Sequence, residues 1–190
     1  AAQGNDGVYT TMSQFLAAAA CAYSVSAVLR LYSDEQAGLG EAVLAGSVSR
    51  WRWLLTAVVS AVLGSAVLMF FAGLGNGLGA GLTLGEPHIV LRLTLAGLAF
   101  VPALAVLAGV AALAVALRHT WIGWLAVTFV VLSLYLGALL RLPSWLIDLS
   151  PIGQTTVPTE IPVVALTVMA FTAAAFAVAA GFLYRRRDAA

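Results

Sequence analysis

The sequence predicts an all-α integral membrane protein, a bundle of five transmembrane helices in a single transmembrane domain that covers residues 1–190. Of the residues, 62% are hydrophobic and only 9% are charged, and the mean hydropathy is +1.01. Soluble domains carry about 25% charged residues, so the chain is not a soluble domain. A membrane-spanning helix needs about 20 apolar residues, which leaves room for about five spans and for no separate soluble catalytic domain.

Five apolar runs have the length of a membrane span. They cover residues 9–32, 51–74, 89–117, 121–140 and 161–184. Trp51, Arg52 and Trp53 open the second run with an aromatic and basic cluster that suits a membrane interface. The third run is long enough to tilt, and we expect Pro102 to kink it because proline lacks a backbone N–H. Cys21 lies inside the first run and is expected to be a packing residue.

The arginines predict the orientation of the bundle, because positive charge in short loops is retained on the cytoplasmic side. If this segment begins outside the cell, the Arg30–Arg52 connection, the tight turn at Arg118 and the tail at 185–187 all lie inside. Seven of the nine arginines are then cytoplasmic, and only Arg92 and Arg141 lie near the outer face. We therefore predict a multi-pass protein of the bacterial plasma membrane with its C-terminal end in the cytoplasm.

Two connections between spans are expected on the outer side. The first, Gly73–Pro87, repeats glycine at short intervals and is predicted to be an outer loop with a flexible or closely packed helix end. The second, residues 141–160, is rich in proline and polar residues yet contains the apolar patch Trp145–Ile147. Such a segment dips into the interface as short helices, so we predict extracellular re-entrant helices here. The alternative is a lid that only seals the outer mouth of the bundle.

The segment between the first two spans is unusually polar for this chain. Ser33 and Gln36 have the spacing of a capping box, so a new cytoplasmic helix over residues 33–50 is expected to begin at Ser33. Asp34 and Glu35 would lie in its first turn, where the helix dipole favours negative charge. Such a helix must pack against a surface, which is either the bilayer interface or a cytoplasmic partner. The acidic side chains favour a partner, because the inner leaflet is itself negative.

The run Arg30–Leu55 resembles permeases of the type-2 ATP-binding cassette (ABC) exporters, in particular the actinobacterial branch of polyketide-antibiotic and multidrug export permeases. In that family an acidic helix with a Glu, a Gly and a second Glu precedes a Pro-Val-Ser-Arg-like turn. The matching positions here are Glu35, Gly38, Glu41, Val48, Ser49, Arg50 and Trp53. Ser47 stands where the family usually has proline. The resemblance extends to Asp148–Gly153 and to the arginine-rich end, so it covers nearly the whole chain.

The resemblance implies roles for two sets of residues. The acidic helix would be the coupling helix that docks into an ATPase subunit, through Asp34, Glu35, Gly38, Glu41 and Arg50. The segment before the last span would form the outer gate, through Trp145, Leu146, Ile147, Asp148 and Pro151. The chain would bind no cofactor or metal itself and would have no catalytic residues. ATP and Mg²⁺ would be bound by the dimeric partner ATPase, which carries out the hydrolysis.

The resemblance also implies a second permease half, on the same chain or on a homologous one. Family members have six spans in each half, so five spans here imply that a first span is missing, in accord with a chain that starts without Met. We expect the chain to be the C-terminal half of a longer permease. The function implied is ATP-driven export of hydrophobic or amphipathic compounds, such as antibiotics, drugs or lipid-like molecules.

Polar side chains of the first span are candidates for the lining of the transport pathway. The main ones are Thr11, Gln14 and Ser24, with Thr10, Ser13 and Ser26 beside them. The alternative is that these groups bond their own helix backbone or join neighbouring helices, as most such residues in membranes do.

Two other functions are weighed against export. A membrane enzyme that acts on lipids needs clustered His, Asp or Glu side chains, but His88 and His119 are predicted on opposite faces of the membrane. A channel or carrier not driven by ATP would be expected to place an ionisable residue in mid-membrane, and the centres of the five predicted spans contain none.

Overall fold

The computed structural model describes residues 2–38, 49–135 and 163–186, which are mostly helical, and within 49–135 the helices are joined by short turns. The helices are α1 (Ala2–Gln36), α2 (Arg50–Leu84), α3 (His88–Leu98), α4 (Val101–Ala116), α5 (Trp121–Tyr135) and α6 (Val163–Arg186). By length and composition, four segments in these ranges are able to cross a membrane: Thr11–Gln36, Arg50–Thr83, His88–Ala116 and Val163–Arg186. Helix α5 is a shorter apolar helix, and residues 136–140 of its predicted span lie outside the described ranges. These helices confirm the predicted all-helical membrane class.

Helix α4 lies at the centre of the bundle and contacts α1, α2, α5 and α6. Its sequence is apolar on every side, and a helix of that kind is typically buried on every side. Phe100, just before the helix, and Leu104 in its first turns are fully buried. Gly109 lets α6 come close, since a Cβ at this position would lie 3.2 Å from the carbonyl oxygen of Ala173. Cys21 of α1 is also fully buried, as expected of a packing residue.

The kink expected at Pro102 is a break between two helices. Helix α3 ends at Leu98, and Pro102 lies in the first turn of α4. Proline lacks the N–H that would otherwise bond to the carbonyl of Leu98, so a continuous helix would lose that bond. Ala99 and Phe100, between the two helices, keep right-handed helical backbone angles, and the N–H of Phe100 donates to the carbonyl of Gly97 at 3.1 Å, so His88–Ala116 is still one membrane-crossing segment.

Helix α2 continues to Leu84, so the outer loop predicted from Gly73 is wrong over most of its length, whereas the closely packed helix end expected of these glycines is confirmed. Only the short stretch from Gly85 to Pro87 connects α2 to α3, and Gly85 ends α2 with a φ of 71°. At about 1.5 Å per residue, a helix of 35 residues is about 50 Å long, well beyond the roughly 30 Å of hydrocarbon in a bilayer. Helix α2 must therefore tilt strongly or extend out of the membrane.

The glycines of the predicted loop explain why this part of α2 is helical. A Cβ at Gly73 would lie 2.7 Å from the carbonyl oxygen of Leu93, and one at Gly77 would lie 2.8 Å from that of Val90. The backbones of α2 and α3 are thus in direct contact, which only small residues allow. Tertiary packing here outweighs the low helix propensity of glycine, which costs about 1 kcal/mol per residue relative to alanine.

We predict that Gly77→Ala destabilises the protein, because the new methyl group would press on the backbone of α3. Overpacking of this kind costs about 1–3 kcal/mol. Gly79→Ala is the matched control, since a Cβ there meets nothing within 4 Å, and we expect it to leave stability unchanged or to raise it. Thermal unfolding of both variants in detergent tests this. Equal melting temperatures for the two variants would contradict the close packing of α2 on α3.

The connection between α4 and α5 is as tight as predicted. Arg118 has a φ of 60° and is the one non-glycine residue with positive φ in the described ranges. The N–H of His119 donates to the carbonyl of Ala114 at 2.9 Å, and the N–H of Arg118 donates to that of Val115 at 3.1 Å. This pair of bonds is the Schellman motif, whose left-handed position usually holds glycine.

We therefore predict that Arg118→Gly is more stable than Arg118→Ala by about 1 kcal/mol, because only glycine adopts the left-handed conformation without strain. The two variants remove the same charge and the same side-chain contacts, so their difference isolates the backbone term. Chemical or thermal denaturation in detergent measures it. A stability for Arg118→Ala equal to or above that of Arg118→Gly would contradict the geometry of this turn.

Candidate functional site

The acidic end of α1 differs from its prediction, because no new helix begins at Ser33. Residues 33–36 form the last turn of α1, and the N–H of Ala37 continues the helical pattern by donating to the carbonyl of Ser33 at 3.0 Å. The helix ends at Gln36, and the chain turns away from its axis at Gly38, whose φ is 76°. Extending an existing helix by one turn avoids the cost of nucleating a second one, so the capping-box spacing has no effect here. The remainder of the predicted cytoplasmic helix, at 39–48, lies outside the described residues.

Two contacts draw the ends of three helices together. The hydroxyl of Tyr184, in the last turns of α6, donates a hydrogen bond to the Glu35 carboxylate at the end of α1. Near the start of α2, the indole of Trp51 lies so close to Gly181 that any Cβ on Gly181 would overlap it. Tyr184 is fully buried and Gly181 is buried. We refer to Glu35, Trp51, Gly181 and Tyr184 as the helix-end cluster.

Most of the positive charge lies at the same end of the bundle as the helix-end cluster. Gly123 packs against Val25 and Leu29, and this contact brings the α4–α5 turn to the same end of α1. The arginines at this end are Arg30, Arg50, Arg52, Arg118, Arg185 and Arg186. Among the arginines in the described ranges, Arg92 of α3 lies toward the opposite end, where Asn76 Nδ2 donates to Ser13 Oγ at 3.4 Å. The bundle therefore separates the arginines as the predicted orientation requires, while its direction in the membrane stays a prediction.

The residues predicted to couple to an ATPase have different environments at this end. Asp34 is exposed, Glu35 is half-buried, and nothing lies within 4 Å of a Cβ placed on Gly38. Arg50 is half-buried and begins α2, whose N-cap Ser49 accepts a hydrogen bond from the N–H of Arg52 at 3.4 Å. The structure thus brings most of this set to one end of the bundle, while Glu41 lies outside the described residues.

A pocket of about 430 Å³ opens between the start of α2 and the end of α6. Its lining includes Ser49, Arg50, Trp51 and Arg185, so arginines from two different helices line the same space. The indole of Trp51 closes one side, and its ring centroid lies 6.5 Å from that of Phe182.

The polar residues of the first span have different surroundings. Ser24 is fully buried and donates to the carbonyl of Leu104 at 3.1 Å, so it joins α1 to the central helix. Ser26 bonds to the carbonyl of Tyr23 in its own helix at 2.9 Å. Thr11 is exposed and Gln14 is half-buried. Ser24 and Ser26 therefore make the bonds expected if these polar groups only join helices or bond their own backbone. Thr11 and Gln14 remain candidates for the pathway. The predicted outer-gate residues, Trp145–Asp148 and Pro151, lie outside the described ranges.

Tyr184 and Gly181 are site residues that sequence reasoning missed. Both fall in an apolar helix just before its arginines, where a tyrosine suits the membrane interface without any further role. The signal available in the sequence was their spacing, since a glycine and a tyrosine three residues apart share one helix face. That spacing does not reveal that the partners are Trp51 and Glu35.

Comparison with known proteins gives two matches. The sequence model of the family described as "Multidrug efflux system permease Rv1217c, C-terminal domain" matches residues 1–185. The multidrug efflux system permease protein Rv1217c of Mycobacterium tuberculosis (strain ATCC 25618 / H37Rv) is 35% identical over 181 residues. The alignment covers 89% of this chain and 32% of that relative, so the chain spans about a third of the relative's length.

We predict that Tyr184→Phe destabilises the bundle although it keeps the buried ring. Hydrogen bonds to charged groups contribute about 1.5–3 kcal/mol, and the Phe variant removes the donor to the Glu35 carboxylate. A double-mutant cycle with Glu35→Gln, followed by denaturation in detergent, separates this bond from other contacts of either residue. Strictly additive effects in the cycle would contradict a direct interaction between the two side chains.

Proposed function

The chain belongs to the family of the C-terminal domain of multidrug efflux permeases, and from this membership we propose that it forms part of the permease of an ATP-driven ABC exporter. The exporter moves hydrophobic or amphipathic compounds, such as drugs or antibiotics, out of the cell. The observation that carries the proposal is the family match over residues 1–185. ATP and Mg²⁺ belong to a partner ATPase dimer, and a second permease half completes the translocation pathway.

In this proposal the arginine-bearing end of the bundle is cytoplasmic. Retention of positive charge in cytoplasmic loops supports this direction, since Arg30, Arg50, Arg52, Arg118, Arg185 and Arg186 all lie at that end. The ATPase therefore meets the bundle where α1 ends and α2 begins.

The charges at the end of α1 support docking of a partner there. Asp34 and Glu35 lie in the last turn of the helix, where the dipole disfavours negative charge by about 0.3–1 kcal/mol each. For Glu35 the hydroxyl of Tyr184 offsets that cost. Asp34 is exposed and so remains available to a partner. We propose that Asp34 contacts a basic surface of the ATPase and that Glu35 positions the end of α1.

Through the helix-end cluster, docking of the ATPase can move the membrane-spanning helices. A displacement of the end of α1 acts on α6 through the bond between Glu35 and Tyr184. Helix α6 lies along the central helix α4 and follows, in sequence, the segment predicted to form the outer gate. Movement at the cytoplasmic end is thereby coupled to the element nearest the predicted gate.

The test is charge reversal at Asp34 in the whole permease, assembled with its ATPase. Asp34→Lys is expected to lower drug-stimulated ATP hydrolysis and drug efflux at least about tenfold, since like charges across an interface cost several kcal/mol. The amount of permease in the membrane should not change, because Asp34 is exposed.

Glu86→Lys is the matched control for this test, since it makes the same charge change on an exposed residue at the opposite end of α2. It should retain nearly full efflux. The proposed docking is contradicted if Asp34→Lys keeps wild-type ATP hydrolysis, or if the two variants lose activity equally. The proposal as a whole fails if no ATPase subunit copurifies with the permease.

A further inference from the structure

The pocket at the arginine-bearing end has the chemistry of a phosphate site at the edge of a membrane. We propose that this pocket, lined by Ser49, Arg50, Trp51 and Arg185, binds the phosphate of an anionic phospholipid. Neither the family match nor the export function requires such a site, so the proposal holds or fails separately from the proposed function.

Two helices supply the cationic groups. Arg50 begins α2 and Arg185 lies in the last turn of α6, so two different helices each contribute an arginine to the lining of the pocket. A guanidinium group matches the oxygens of a phosphate with paired N–H donors, and its charge makes these bonds short and strong. A phosphate held between two such groups bridges the helices.

The start of α2 adds further groups suited to an anion. Ser49 Oγ accepts the N–H of Arg52, and its own hydroxyl hydrogen can donate in another direction. The positive end of the helix dipole also lies at this wall, because Ser49 is the N-cap.

Apolar surface next to the pocket favours a lipid over a free anion. Leu55, one turn into α2 from Trp51, is 38% exposed, and Phe182, nearly one turn before Arg185, is 58% exposed. Both helices belong to membrane-crossing segments, so these side chains are placed to meet acyl chains when a headgroup occupies the pocket. Trp51 and Phe182 themselves suit the level of the headgroups. A phospholipid therefore matches both features, because its phosphate suits the arginine-lined pocket and its acyl chains suit the apolar side chains beside it.

Neighbouring charge also attracts anionic headgroups. Arg52 and Arg186 are exposed beside the two pocket arginines and add to the local positive potential, although they do not line the pocket. Basic pockets between transmembrane helices on the cytoplasmic side bind anionic headgroups in this manner. Arg52 and Arg186 also provide the control, because replacing them removes the same charge as replacing the two pocket arginines.

The experiment measures lipid binding to the purified protein in detergent by native mass spectrometry. Dioleoylphosphatidylglycerol is titrated against dioleoylphosphatidylcholine for the wild type, for the pocket variant Arg50→Gln/Arg185→Gln and for the control variant Arg52→Gln/Arg186→Gln. The two variants have equal net charge. We expect the wild type and the control to prefer the phosphatidylglycerol, and the pocket variant to bind it at least about tenfold more weakly, since about 1.4 kcal/mol corresponds to a factor of ten.

Three results would overturn the proposal. A preference kept by the pocket variant would place the lipid elsewhere. An equal loss in both variants would reduce the effect to net charge. Displacement of the lipid from the wild type by millimolar inorganic phosphate would make the pocket a site for a free anion. If the pocket variant does not fold, the same titration compares Arg185→Gln with Arg186→Gln, and an equal affinity of these two would overturn the proposal.

Discussion

The contact between the Trp51 indole and Gly181 is the constraint on which the arginine-bearing end of the bundle depends. Because glycine has no side chain, a flat aromatic ring can lie directly on the backbone of α6, and the start of α2 is fixed there. Tyr184 lies on the same helix three residues further on, and its hydroxyl reaches the carboxylate of Glu35. Three helix ends thus meet through one packed ring and one charged hydrogen bond. The pocket beside Trp51 lies between two of these ends, the start of α2 and the end of α6.

The opposite end of the bundle is held by a different interaction. There α2 and α3 meet backbone to backbone at Gly73 and Gly77, where no side chain separates them. Close packing of small residues supplies dispersion attraction in a solvent that offers no hydrophobic effect between helices. The packed ring of Trp51 at one end and close backbone contact at Gly73 and Gly77 at the other both fix α2.

The sequence predicted the features that depend on local composition. Hydropathy gave the membrane class, Pro102 marked the break between α3 and α4, and the arginine distribution matched one end of the bundle. The prediction at Ser33 was wrong because continuing α1 costs less than starting a new helix. The loop predicted at Gly73 was wrong because helix propensity ignores the partner that a glycine face can pack against. The bond between Glu35 and Tyr184 joins residues 149 positions apart, so no local pattern could have indicated it.

We propose that the ATPase meets the end of the bundle that bears Asp34 and the arginines. Photo-cross-linking in cells tests it most directly, with benzoylphenylalanine placed at Ala37, beside the end of α1, or at Pro87, in the connection at the other end of α2. Both positions are exposed. We expect an adduct with the ATPase subunit from position 37 and none from position 87. An adduct from position 87 alone, or from neither position, would contradict it.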